Sequence, residues 1–161
     1  MVRHEAERVY RDDDRQLPDL PTKCDIVRLS HEIITQTWWQ TQRPRFDLCA
    51  SRLVIEEASA GDPTAAAERL KALEGIALLP VGPPAFQLAE RLAHVLALPQ
   101  RAKADALHVA IAASQSTAFL LTWNCRHLAN AALTHRIERT CSDAGFVAPR
   151  IVTPELLTEL P

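Results

Sequence analysis

The sequence predicts an α/β protein, with a parallel sheet covered by helices on both faces. Three observations predict it. Short apolar runs recur along the 161 residues and alternate with stretches of helical periodicity. Turn or capping residues bound most of these runs, and the stretches between them are long enough for crossover connections. Hydrophobic residues make up 47% of the chain, enough for the core of one domain spanning 1–161.

Residues 25–39, DIVRLSHEIITQTWW, place Ile26, Leu29, Ile33 and Thr37 at helical spacing, with Trp38 closing the stripe. Asp25 is the expected N-cap. QRPR at 42–45 breaks this helix, and FDLCAS at 46–51 reads as a short buried strand. Ser51 then caps a short helix, RLVIEEA. Asp62 and Pro63 open the next helix as N-cap and first helical residue, and Gly75 closes it. IALLPV is a second strand. PPAFQLAERLAHVLALP is a helix with Phe86, Ala89, Ala93 and Leu96 on one side, stopped near Pro99. RAKADALHVAIAAS is an alanine-rich helix and TAFLLTWN a third strand. NAALTHRIERTCSDAG carries Leu133, Ile137, Cys141 and Ala144 on one face and ends at Gly145. PRIVTPELL supplies a last strand, with Thr153 and Pro154 starting a final helical turn.

The net charge is -2, so no overall basic field announces nucleic-acid binding. A metal-dependent nuclease stays open, because its site is itself acidic. No apolar run approaches membrane-spanning length, and MVRHEAERVY lacks the apolar core of a signal peptide. The expectation is a soluble cytoplasmic protein with no membrane partner. Cys24, Cys49, Cys125 and Cys141 form no C-x-x-C pair and read as reduced thiols.

Three segments carry polar residues on otherwise apolar ground. In KADALHVAIAAS, Asp105 lies near a helix start and His108 lies one turn on. Asp105 suits the positive helix end, or serves as a metal ligand where open α/β sheets place their sites. In CASRLVIEEASAGDP, Glu56 and Glu57 are adjacent helix positions, so at most one faces a site. In LLTWNCRHLAN, a strand runs into Asn124, which either closes a turn or offers its carbonyl to a hard cation. Lys103, Arg101 and Arg126 are near in sequence and suited to phosphate contacts.

Taken together and in this order, SRLVIEEASAG, KADALHVAIAA and LLTWNCRHLANA resemble the PIN-domain family, in particular the VapC-type toxins of bacterial toxin–antitoxin pairs. The resemblance runs from about Asp25 to the end, and DALHVAIA and LLTWNCRHLANA are its specific part. It implies a three-layer α/β/α sandwich with a parallel sheet of order 3-2-1-4-5. It implies an acidic site binding Mg²⁺ or Mn²⁺ that cleaves RNA with metal-activated water. Glu57, Asp105 and Asn124 fall at the family's site positions. A small antitoxin and a homodimer are the implied protein partners.

The family's first strand is central, apolar and ends in an Asp ligand. Here its place is taken by VYRDDDRQLPDLPTKCD, residues 9–25. Asp12 stands where the ligand belongs, but Arg11 and residues 13–23 depart from the pattern, making 1–24 atypical and the first strand degraded. Residues 13–23 have a permitted coding in which the frame displaced by one base reads Thr-Ile-Val-Ser-Tyr-Leu-Thr-Ser-Arg-Pro. That is the kind of sequence the family places after its Asp. We read a compensated frameshift, with divergence or disorder of the segment as the competing account. Charge and proline in a central parallel strand destabilise it by removing ladder hydrogen bonds and burying charge. The expectation is therefore an impaired ribonuclease, or a catalytically dead module that still binds antitoxin or RNA.

Overall fold

The structure is a computed structural model that describes residues 23–159. Residues 1–22, with Asp12 and the expected degraded first strand, lie outside the described residues.

The described chain is mixed α/β. Helix α1 (Lys23–Thr41) leads through a 3-10 turn into strand β1 (Cys49–Ser51) and helices α2 (Arg52–Ala58) and α3 (Pro63–Ala72). Strand β2 (Ala77–Leu79) and helix α4 (Pro83–Val95) follow, then α5 (Lys103–Ser114), β3 (Phe119–Leu121), α6 (Ala131–Asp143), β4 (Arg150–Val152) and α7 (Pro154–Thr158). Among the described residues the strands form two parallel pairs. Cys49, Ala50 and Ser51 of β1 face Ala77, Leu78 and Leu79 of β2. Phe119, Leu120 and Leu121 of β3 face Arg150, Ile151 and Val152 of β4. The strands are shorter than their apolar runs, because the flanking residues turn into helices and loops.

Local chemistry sets the boundaries. Ser51 accepts from the Val54 amide at 3.4 Å, Asp62 from Ala65 at 2.9 Å and Thr153 from Leu156 at 3.3 Å, so each caps its helix as expected. Gly75 and Gly145 take positive φ where their helices end, which costs a residue without Cβ nothing.

The main core joins α4, α5, β3 and α6. Leu88, Leu92 and Leu96 meet Ala106, Val109, Ala110 and Ala113, with Leu120, Leu128, Ile137 and Cys141 behind them. Helix α5 is apolar nearly all round and is buried at Asp105, Ala106 and every position from His108 to Ala113. Its alanines let α4 lie close along it. A second cluster gathers Trp38, Leu121, Val152 and Leu157, with Trp39, Phe46 and Phe119 against it.

Three expectations are corrected. Helix α1 is already under way at Lys23, so Asp25 lies inside it rather than capping it. Its stripe faces outward, with Ile26, Leu29 and Ile33 each more than half exposed. The packed side is the one bearing Trp38, Trp39, Thr35 and His31, where aromatic rings bury more area than the aliphatic residues can. In α4 Leu96 is buried and Ala89 and Ala93 pack against the core as expected, but Phe86 is half exposed and the deepest positions are Ala85, Leu88 and Leu92. The leucines insert closely against the alanines of α5.

No helix among the described residues is long and apolar enough to cross a membrane.

Candidate functional site

Strand β3 leads into the loop that holds Asn124, and β1 leads into the short helix α2 that carries Glu57 in its last turn. Both residues meet helix α5. Ser51 ends β1 and starts α2, which turns Glu57 toward α5 and leaves Glu56 exposed beside Arg52 at 3.4 Å. One acid of the pair faces inward, as adjacent helix positions require. Glu57 Oε2 lies 3.0 Å from Nε2 of His108, whose side chain is fully buried while that of Glu57 is 26% exposed.

One turn earlier on α5, Asp105 is 1% exposed. It lies in the first turn of the helix, where the backbone amides favour a carboxylate. Asn124 Nδ2 donates to Asp105 Oδ2 at 2.9 Å. Asn124 is itself held on several sides. Its Oδ1 accepts from the His127 amide at 3.0 Å, and its own amide donates to Thr122 Oγ1 at 3.0 Å. Its carbonyl accepts from Leu128 and Ala129, so the loop after β3 is wound around this one residue. The cap of α6 belongs to Asn130, whose side chain accepts from Ala132.

The site is thus a helix with a carboxylate–amide pair and an imidazole–carboxylate pair one turn apart. Glu57, Asp105 and Asn124 all meet α5, and Asp12 lies outside the described residues. His108 joins them as the partner of Glu57, a contact across 51 residues of sequence. The signal for it was a histidine at i+3 from Asp105 on an apolar helix. Cys125 and Arg126 are exposed loop residues and Lys103 is exposed at the start of α5.

Magnesium and manganese take oxygen donors, and Asp105 and Glu57 supply carboxylates of the right kind. Asn124 turns its amide nitrogen, not its carbonyl, to Asp105, so in this arrangement it orients the acid instead of adding a ligand. No group of three or more His, Cys, Asp or Glu among the described residues is gathered to hold a metal ion. The fit is therefore one of donor type, with two carboxylates available.

The chain matches no family model, no curated protein and no solved structure.

Proposed function

We propose that the chain is a PIN-type, VapC-like ribonuclease in which Asp105 and Glu57 hold Mg²⁺ or Mn²⁺, with Asp12 as the further acid and Asn124 as the residue that sets Asp105. The observation that carries this reading is the buried Asp105 at the start of α5, tied at 2.9 Å to the residue that follows β3. Open parallel sheets bind ligands beyond the carboxyl ends of their strands, and Asn124 and Glu57 follow two such ends. The two parallel pairs, β2 with β1 and β3 with β4, are the neighbours that the order 3-2-1-4-5 has at its two ends, which supports the reading.

A bound divalent cation supplies a more acidic water and neutralises charge on the phosphate. The chain's own residues do the positioning. Asn124 holds the Asp105 carboxylate through a charge-assisted bond, and His108 holds that of Glu57. The cellular partner of this reading is a small antitoxin, and the assembly a homodimer.

A second reading is a catalytically inactive module of the same family that binds antitoxin or RNA. It is favoured by the small number of gathered acids among the described residues and by the departures around Asp12. One experiment separates the two. Melting of the full chain is followed with and without about 5 mM Mn²⁺, above the weakest hard-cation dissociation constants, alongside cleavage of a mixed RNA. A ribonuclease gains melting temperature and cleaves, and Asp105→Asn loses both. A chain indifferent to Mn²⁺ that cleaves nothing is the inactive module at most.

A further inference from the structure

The aromatic cluster beneath β3 and β4 carries three arginines. The Arg43 guanidinium lies 5.2 Å from the centre of the Trp39 ring, Arg45 lies 5.9 Å from Phe46, and Arg150 lies 5.7 Å from Phe119. The rings are joined to one another. Trp38 meets Trp39 at 6.3 Å and Phe46 at 5.7 Å, and Phe46 meets Phe119 edge-on at 6.3 Å. Arginine–ring pairs occur about once per 70–80 residues, so their number here is ordinary. Their placement on one contiguous ring cluster is not.

Arg45 and Arg150 are exposed, and Arg43, Trp39, Phe46 and Phe119 are half-buried. The acids adjoining the patch are Asp47, next to Phe46, and Glu155 and Glu159 on or beside α7, whose Leu157 belongs to the same cluster. The place of the patch is distinct from the candidate site. Phe46 precedes β1 and Phe119 begins β3, whereas Glu57 and Asn124 follow the ends of those strands.

From this we propose that the Arg43–Arg45–Arg150 face binds a single-stranded nucleic acid, with the guanidinium groups on successive phosphates and bases stacked on guanidinium planes and exposed ring edges. Planar guanidinium groups match phosphate in a two-pronged fashion. Held over rings, they have already lost part of the side-chain freedom that binding would otherwise cost. An acidic protein segment would use the charges but has no need of the rings, whereas bases stack on both. The inference goes beyond the proposed site and does not depend on its chemistry.

The test is anisotropy of a labelled oligouridine of about 20 nucleotides, a length that outspans a typical single-strand site, with the full chain in EDTA across a salt series. Each phosphate contact on a single strand contributes about 0.7 to the slope of log K against log salt. The variant Arg43→Gln/Arg45→Gln/Arg150→Gln is therefore expected to lose about 2 from the slope and about 100-fold in affinity near 0.1 M salt. Arg45→Gln alone, at an exposed position, is expected to lose about 0.7 and serves if the triple variant fails to fold. Arg139→Gln, exposed on α6 and outside the ring cluster, is expected to bind like the starting chain, which separates these three arginines from charge in general, while EDTA keeps the readout apart from the metal site. Unchanged slope and affinity in the arginine variants overturn the proposal. So does an equal loss caused by Arg139→Gln alone. Binding of polyglutamate in place of oligouridine assigns the face to an acidic protein and overturns it too.

Discussion

Replacing Asn124 with alanine removes two side-chain hydrogen bonds at once. The bond to Asp105 Oδ2, at 2.9 Å, has a carboxylate acceptor that is 1% exposed. Bonds to charged groups contribute about 1.5–3 kcal/mol. The bond from the His127 amide, at 3.0 Å, is neutral and contributes about 0.5–1.5 kcal/mol. The backbone bonds from Leu128 and Ala129 to the Asn124 carbonyl survive the change. The expected cost is about 2–4 kcal/mol, a large part of a typical total of about 5–15 kcal/mol. Urea denaturation followed by circular dichroism reads it directly, and the melting temperature should fall by about 10 °C. A double-mutant cycle with Asp105→Ala isolates the pair, with an expected coupling of about 1.5–3 kcal/mol. A single-variant cost below about 0.5 kcal/mol, or additivity within that margin, would refute the claim that Asn124 holds the acid.

His108→Leu is expected to cost about 1–2 kcal/mol, because Glu57 is partly exposed and can turn to water when its partner is lost; His108→Gln, which keeps a donor, should recover part of it in the urea midpoint. Burial pushes the Cys141 thiol from 9.0 up to about 11. Above pH 9 the unfolded thiol ionises first and the folded one resists, so stability falls as pH rises from about 9 to about 11. The total loss is about 3 kcal/mol, and Cys141→Ala should flatten that slope in denaturation curves taken across it. Rewriting residues 13–22 as Thr-Ile-Val-Ser-Tyr-Leu-Thr-Ser-Arg-Pro should raise the melting temperature and the Mn²⁺-dependent cleavage above those of the chain as it stands. Equal melting of the two chains would count against the frameshift.

Much of the fold was legible because its signals are local. Ser51, Asp62 and Thr153 cap the helices that they precede in sequence, and the Ile137–Cys141 face of α6 is buried as its spacing indicates. The inward turn of Glu57 against the outward turn of Glu56 follows from helix geometry alone. What stayed hidden depends on partners distant in sequence. Helix α4 is apolar over a broad arc, and only its packing on α5 sets Leu88 and Leu92 deepest and leaves Phe86 half exposed. Helix α1 offers an aliphatic stripe and an aromatic one. Trp123, stacked on His31 at 4.0 Å and donating to Thr35 at 2.8 Å, draws the second inward. The His108–Glu57 pair could not be read from spacing, because its two members belong to separate segments.

Helix α5 has almost no side facing water, and this sets the order in which the molecule opens. Amides sealed in the best-packed segment exchange with solvent only when the whole domain unfolds, whereas termini and loops fray at little cost. Asp105 and His108 therefore ride on the part of the chain that should exchange last. Damage to the first residues would spread to them late, if at all. A change confined to the start of the chain would leave Asp105 still paired with Asn124 and His108 with Glu57.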